Sequence, residues 1–197
     1  MSDAENIYRL WKQRAEIDYI PHFMALWLSL NAWMKDYFVF SADWTDRDRL
    51  EVLKQDDSSL FDRFAGLIDA QGINGTLFRG YFAELHRALG NAQISYDRRQ
   101  EIISFDCCMI EWNNGRPRFA SVVAQNRDNT PENGQQEIKL DEELWVENNP
   151  ERLFAAYIEI VYQIRCALFH GNLAPDNENK KVIQQLYLTL SMIMEDI

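Results

Sequence analysis

Between Asn149 and Asn172 the chain carries the start and stop signals of one long helix, with an apolar period between them. Asn149 offers an N-cap oxygen, Pro150 sits where a missing N–H costs nothing, and Glu151 lies beside the positive end of the helix dipole. At the far end Gly171 suits the left-handed conformation that closes a helix, and Asn172 and Pro175 oppose continuation. Leu153, Tyr157, Ile160, Val161, Ile164 and Leu168 recur at steps of three and four, which predicts one buried face. A helix of this kind belongs in a core, so the rest of the chain has to pack around it.

The remaining pattern predicts a mainly α protein, an antiparallel helical bundle in a single domain over residues 1–197. A first amphipathic segment from Ala4 to Asp18 meets a break near Pro21. Phe23, Trp27, Leu30, Met34, Tyr37 and Phe38 then form a stripe that includes Asn31. A buried amide needs partners. Asn31 therefore fixes helix packing through a hydrogen bond, or else points towards Arg165 and His170. Thr45 with Asp48 has the form of a capping box, and Asp57-Ser58 opens a helix that Gly72 and Asn74-Gly75 close. Thr76 is the expected cap of the next helix, ended by Gly90-Asn91, with His86 on its solvated flank.

After Gln93 the apolar period changes to two: Ile103, Phe105, Cys107 and Met109 alternate with polar or small neighbours, and Asn113-Asn114-Gly115 precedes Phe119, Val122 and Val123. A small β-hairpin insertion at about 96–140 follows, with Pro117 at an edge and a loop over 125–136. Val182, Ile183, Leu186, Tyr187, Leu190, Ile193 and Met194 mark a last helix over about 178–194, expected to lie on the Pro150 helix.

Charge narrows the function classes. Lys and Arg number 20 against 31 Asp and Glu, for a net −11, which argues against non-specific affinity for a polyanion and confines any nucleic-acid contact to a local site. Arg98, Arg99, Arg116, Arg118 and Arg127 gather around the hairpin, as solvated loop charge or as phosphate contacts. Cys107, Cys108 and Cys166 are an odd set without ligand spacing, expected as reduced thiols, and His22, His86 and His170 form no zinc pattern. No metal and no cofactor is expected. The polar start Met1-Ser-Asp-Ala-Glu-Asn and the lack of a long uncharged apolar span predict a cytoplasmic protein with no membrane partner.

Arg165 and His170 carry the clearest chemistry. Five residues apart, they would stand about 140° apart on an unbroken helix, and they converge only if the helix ends at His170. The plainer reading is a surface ion pair at Arg165 and a dipole-favoured imidazole at His170. An Arg, four residues, a His and then Gly-Asn at a helix end resembles the signature of the HEPN superfamily, the higher eukaryotes and prokaryotes nucleotide-binding domains. Phe23-Met-Ala-Leu-Trp27-Leu-Ser-Leu-Asn31-Ala-Trp33 is similar to the opening helix of a bacterial branch of that superfamily.

The resemblance implies a HEPN-type bundle that forms a homodimer and cleaves RNA without metal, with a toxin or phage-defence role and an antitoxin or defence-system partner. It implies Arg165 and His170 as catalytic residues, with Asn31, Cys166 and Asn172 binding or orienting an RNA or nucleotide. The chemistry suits those residue types: an imidazole exchanges protons near its ordinary pKa of about 6.5, and a guanidinium offers planar donors to phosphoryl oxygens. Cys166 departs from the pattern, since active members carry a polar Asn, Asp or His there. The alternative is a non-catalytic module that binds nucleotide, RNA or protein.

Overall fold

The computed structural model describes residues 3–38, 43–95, 101–113, 116–124 and 137–195. Among them are seven helices and four short strands: α1 (Asp3–Ala15), α2 (Tyr19–Tyr37), α3 (Asp46–Leu53), α4 (Ser59–Asp69), α5 (Ile73–Ala92), β1 (Cys108–Asn113), β2 (Arg116–Ala120), β3 (Glu137–Lys139), β4 (Trp145–Glu147), α6 (Pro150–Phe169) and α7 (Asn177–Ile193). The mainly helical class with a small β excursion is what the periodicities predict.

Helix α6 has the expected ends. The Asn149 side chain accepts from the Arg152 N–H at 3.0 Å, with Pro150 in the first turn. At the other end Gly171 has φ +70°, the Asn172 N–H reaches Ala167 O at 2.8 Å, and the Gly171 N–H reaches Leu168 O at 3.2 Å. This pair of bonds satisfies two carbonyls that a helix end leaves open. Burial exceeds the single face expected: every residue from Leu153 to Val161 is buried, so α6 is enclosed on all sides over its first half. Phe64, Phe82, Phe154 and Tyr157 meet ring to ring around it, with centroids 5.4–6.2 Å apart. The buried apolar residues form one cluster from Phe23 to Ile193.

Several expected boundaries move, each for a local reason. The break before α2 falls at 16–18, because Asp18 caps the helix through the Ile20 N–H at 3.1 Å and Pro21 sits harmlessly in the first turn. Asn74 and Gly75 do not close α4; they lie inside α5, which starts at Ile73. Gly75 is needed there because a Cβ would come within 2.2 Å of Ala70 O. Thr76 is consequently no cap; its hydroxyl donates back to Gly72 O at 3.1 Å. Likewise α5 passes through Gly90-Asn91 and ends where Gln93 turns left-handed at φ 49°. The capping box of Thr45 and Asp48 and the Ser58 cap of α4 form as expected.

Helix α7 lies chiefly against α5 and α2, and meets α6 through the Tyr157 hydroxyl, 3.0 Å from Thr189 Oγ1. β1 and β2 pair antiparallel with an irregularity between Met109 and Glu111, and Pro117 stands opposite Trp112 in a two-stranded sheet where every strand is an edge. Ile103 and Phe105 are buried without being strand, since β1 begins only at Cys108. The insertion also extends past residue 140: β3 and β4 form a second antiparallel pair, joined to the segment that follows β2 by the bridge Val123–Val146. The expected loop at 125–136, and Arg98, Arg99 and Arg127, lie outside the described residues. β1 and α4 flank α6, which leaves the end of α6 to meet α2 and the start of α3.

Candidate functional site

Arg165 is the best-defined group at the end of α6. Its guanidinium carbon lies 5.2 Å from the centroid of Trp27 and 4.7 Å from that of Phe169, so the cation is held against two rings. Nη2 is 3.4 Å from Asp46 Oδ2 at the first turn of α3, and Nη1 is 3.7 Å from Cys166 Sγ. The side chain retains 23% exposure, so the ion pair with Asp46 is screened and modest. Nε is buried without a hydrogen-bond partner. Arg165 is thus oriented by rings and one weak acid partner, with donor capacity left over.

The other expected site residues are placed differently. His170 is the C-cap of α6; its backbone N–H bonds Cys166 O at 2.9 Å and its imidazole is exposed. Among the described residues no hydrogen bond, ion pair or ring contact joins it to Arg165, so the two share a helix end without touching. Asn172 is exposed and acts through its backbone in the helix stop. Cys166 is buried, with its sulfur at Arg165. Asn31 stands one turn beyond Trp27 on α2, half-buried, and its Oδ1 is a buried acceptor without a partner. The structure therefore brings Arg165 to Cys166, Trp27, Phe169 and Asp46.

A buried ionic network, absent from the sequence reading, fixes α3 against α6. Glu159, 2% exposed in mid-helix, accepts from Arg47 Nη1 at 2.8 and 3.0 Å, from Gln163 Nε2 at 2.7 Å and from the Lys54 ammonium. Lys54 also reaches Glu51 at 3.1 Å and the Met109 carbonyl at 3.3 Å, which uses all three of its donors. Burial alone would lower the Arg47 guanidinium, but Glu159 and Glu51 outweigh it and hold it above its ordinary value. Because Asp46 and Arg47 are adjacent, the network that anchors Arg47 also sets Asp46 beside Arg165. The signal available in the sequence was a lone acid, Glu159, between Ile158 and Ile160 on a core helix.

A cavity of about 240 Å³ opens at the opposite end of α6, where Arg152 and Glu151 meet Phe61, Ile110 and Arg118. Thirteen residues of helix, about 20 Å, separate Arg152 from Arg165. His86 was expected on a solvated flank; instead its Nδ1 is buried without a partner and its ring lies 6.3 Å from Phe105. Burial pushes the Cys108 thiol well above its usual range, which makes it unreactive.

Among the described residues no three His, Cys, Asp or Glu side chains gather as a metal-binding group, and no helix is long and apolar enough to cross a membrane. Compared with family models, curated proteins and solved structures, the chain finds no match.

Proposed function

We propose that the protein is a HEPN-type endoribonuclease that works without metal, with Arg165 and His170 as its catalytic pair. The observation that carries this reading is Arg165: a guanidinium stacked against Trp27 and Phe169, weakly engaged by Asp46, at a helix end that presents the exposed imidazole of His170. A phosphodiester entering there displaces a screened carboxylate and gains planar, charge-assisted donors. The RNA 2′-OH attacks the adjacent phosphorus as an imidazole takes its proton, the bond to the 5′ oxygen breaks, and that oxygen receives a proton. The products are a 2′,3′-cyclic phosphate and a 5′-hydroxyl.

One His170 cannot serve both ends of the displacement at once, so the reading requires two protomers with their α6 ends together. Phe169, 47% exposed beside Arg165, supports such a contact, and pairing concentrates positive charge that a −11 chain otherwise lacks. A toxin or phage-defence role, with a cognate partner that restrains the nuclease, belongs to the same reading.

The test is cleavage of mixed RNA by purified protein in EDTA. Wild type should cleave, and His170→Ala should lose roughly 10²–10⁴-fold in rate while keeping its fold. The second reading, a non-catalytic RNA- or nucleotide-binding module, is favoured by the lack of contact between Arg165 and His170 and by the buried Cys166 in place of a polar residue. Binding without cleavage in the same assay selects it.

A further inference from the structure

Among the described residues two apolar surfaces are left exposed, and they match each other. Helix α1 leaves all its described side chains exposed, including Ile7 at 56% and Trp11 at 69%. Ile7, Leu10 and Trp11 recur at the three- and four-residue steps of a helix made to bury one face. A helix of 13 residues that buries none of its described side chains is marginal in water, so α1 gains from a surface to pack on.

The second surface is the outer face of α2. From Tyr19 to Met34 this helix has no Asp, Glu, Lys or Arg, in a chain that is 26% charged, although only one of its faces enters the core. Phe23, Trp27, Leu30 and Met34 face inward; Pro21, Ala25, Leu28 and Ala32 run along the opposite side, with Leu28 60% exposed. Small residues flanking one leucine form a shallow groove into which large side chains fit.

We infer that α1 of one copy docks on the outer face of α2 in a second copy, and that the exchange is reciprocal. Both halves of the contact are present on every chain, as a two-fold interface requires. Charge agrees: residues 3–15 carry a net +1, whereas the whole chain carries −11, so the arm is attracted to the acidic body of another copy. Asp36 and Asp43, exposed at and just beyond the end of α2, are the anions that Arg9 and Lys12 would meet. The large residues of α1 fill the small-residue groove of α2, which neither helix achieves alone. The inference does not depend on the nuclease reading, because this face of α2 points away from Trp27 and Arg165.

The test uses the full chain, its Leu10→Asp and Leu28→Asp variants, and sedimentation equilibrium. Leu10 and Leu28 are exposed, so neither change removes core packing, and circular dichroism should match wild type. Wild type should self-associate, and each variant should associate at least about tenfold more weakly. An equimolar mixture of the two variants should regain association, because the intact arm of one meets the intact groove of the other. A monomeric wild type overturns the inference, whether or not the arm folds back on its own chain. So does a dimer indifferent to both substitutions, which leaves the arm to another partner, or a mixture that fails to recover. The nuclease reading needs its own contact at the α6 ends, so a monomeric wild type removes both, whereas association indifferent to both substitutions removes this contact alone and leaves the site at Arg165 untouched.

Discussion

His86 shows how much a single side chain departs from its apparent setting. On a helical wheel it lies on a flank, yet the loop through Phe105 covers it and burial holds its pKa below the ordinary 6.5, with Arg87 adding to the shift and Asp106 and Asp141 opposing it. The unfolded chain therefore binds the proton first as pH falls. The stability that His86 permits is fully present above about 6.5 and declines as pH drops towards the lower folded value. Urea midpoints measured from about pH 7 to about pH 5.5 should fall more steeply for wild type than for His86→Gln. Equal slopes would mean that the imidazole is solvated. Cysteine chemistry is a second check at this scale: Cys107 is exposed while Cys108 and Cys166 are buried, so a thiol reagent should label Cys107 alone until the protein unfolds.

At the scale of elements, legibility followed side-chain capping. Helices α3, α4, α6 and α7 begin on Thr45, Ser58, Asn149 and Asp176, whose oxygens accept from their own first turns, and all but the last of these caps were read directly. The start of α5 is not legible because Gly72 caps it without a side chain, and because Asn74-Gly75 has turn composition for a packing reason. Gly75→Ala tests that reason: the new methyl meets the Ala70 backbone and should cost about 2 kcal/mol in chemical denaturation. A neutral outcome would return Gly75 to the role of turn residue. The second sheet is invisible in the sequence because three-residue strands such as β3 and β4 are too short to show a period.

For the whole molecule, the decisive interactions were illegible because they join residues more than a hundred positions apart. Arg165 and His170 stand out in the chain, but nothing local shows that Asp46 reaches Arg165, or that Arg47 and Lys54 converge on Glu159. Removing Glu159 strands two cations, one of them on a side chain with no exposure, so Glu159→Ala should destabilise the fold by about 3–5 kcal/mol. Urea denaturation checks this, and a loss below about 1 kcal/mol would show that the network is solvated.

The central claim is that the end of α6 receives a phosphodiester through Arg165, and binding tests it most directly once cleavage is blocked. Fluorescence anisotropy with a 2′-O-methylated RNA oligonucleotide removes the attacking hydroxyl and leaves recognition intact. In EDTA, Arg165→Ala should bind at least about tenfold more weakly than wild type, and Asp46→Asn should bind more tightly because the competing carboxylate is gone. Equal affinities for wild type, Arg165→Ala and Asp46→Asn would contradict the account and leave Arg165 as a structural cation between two rings.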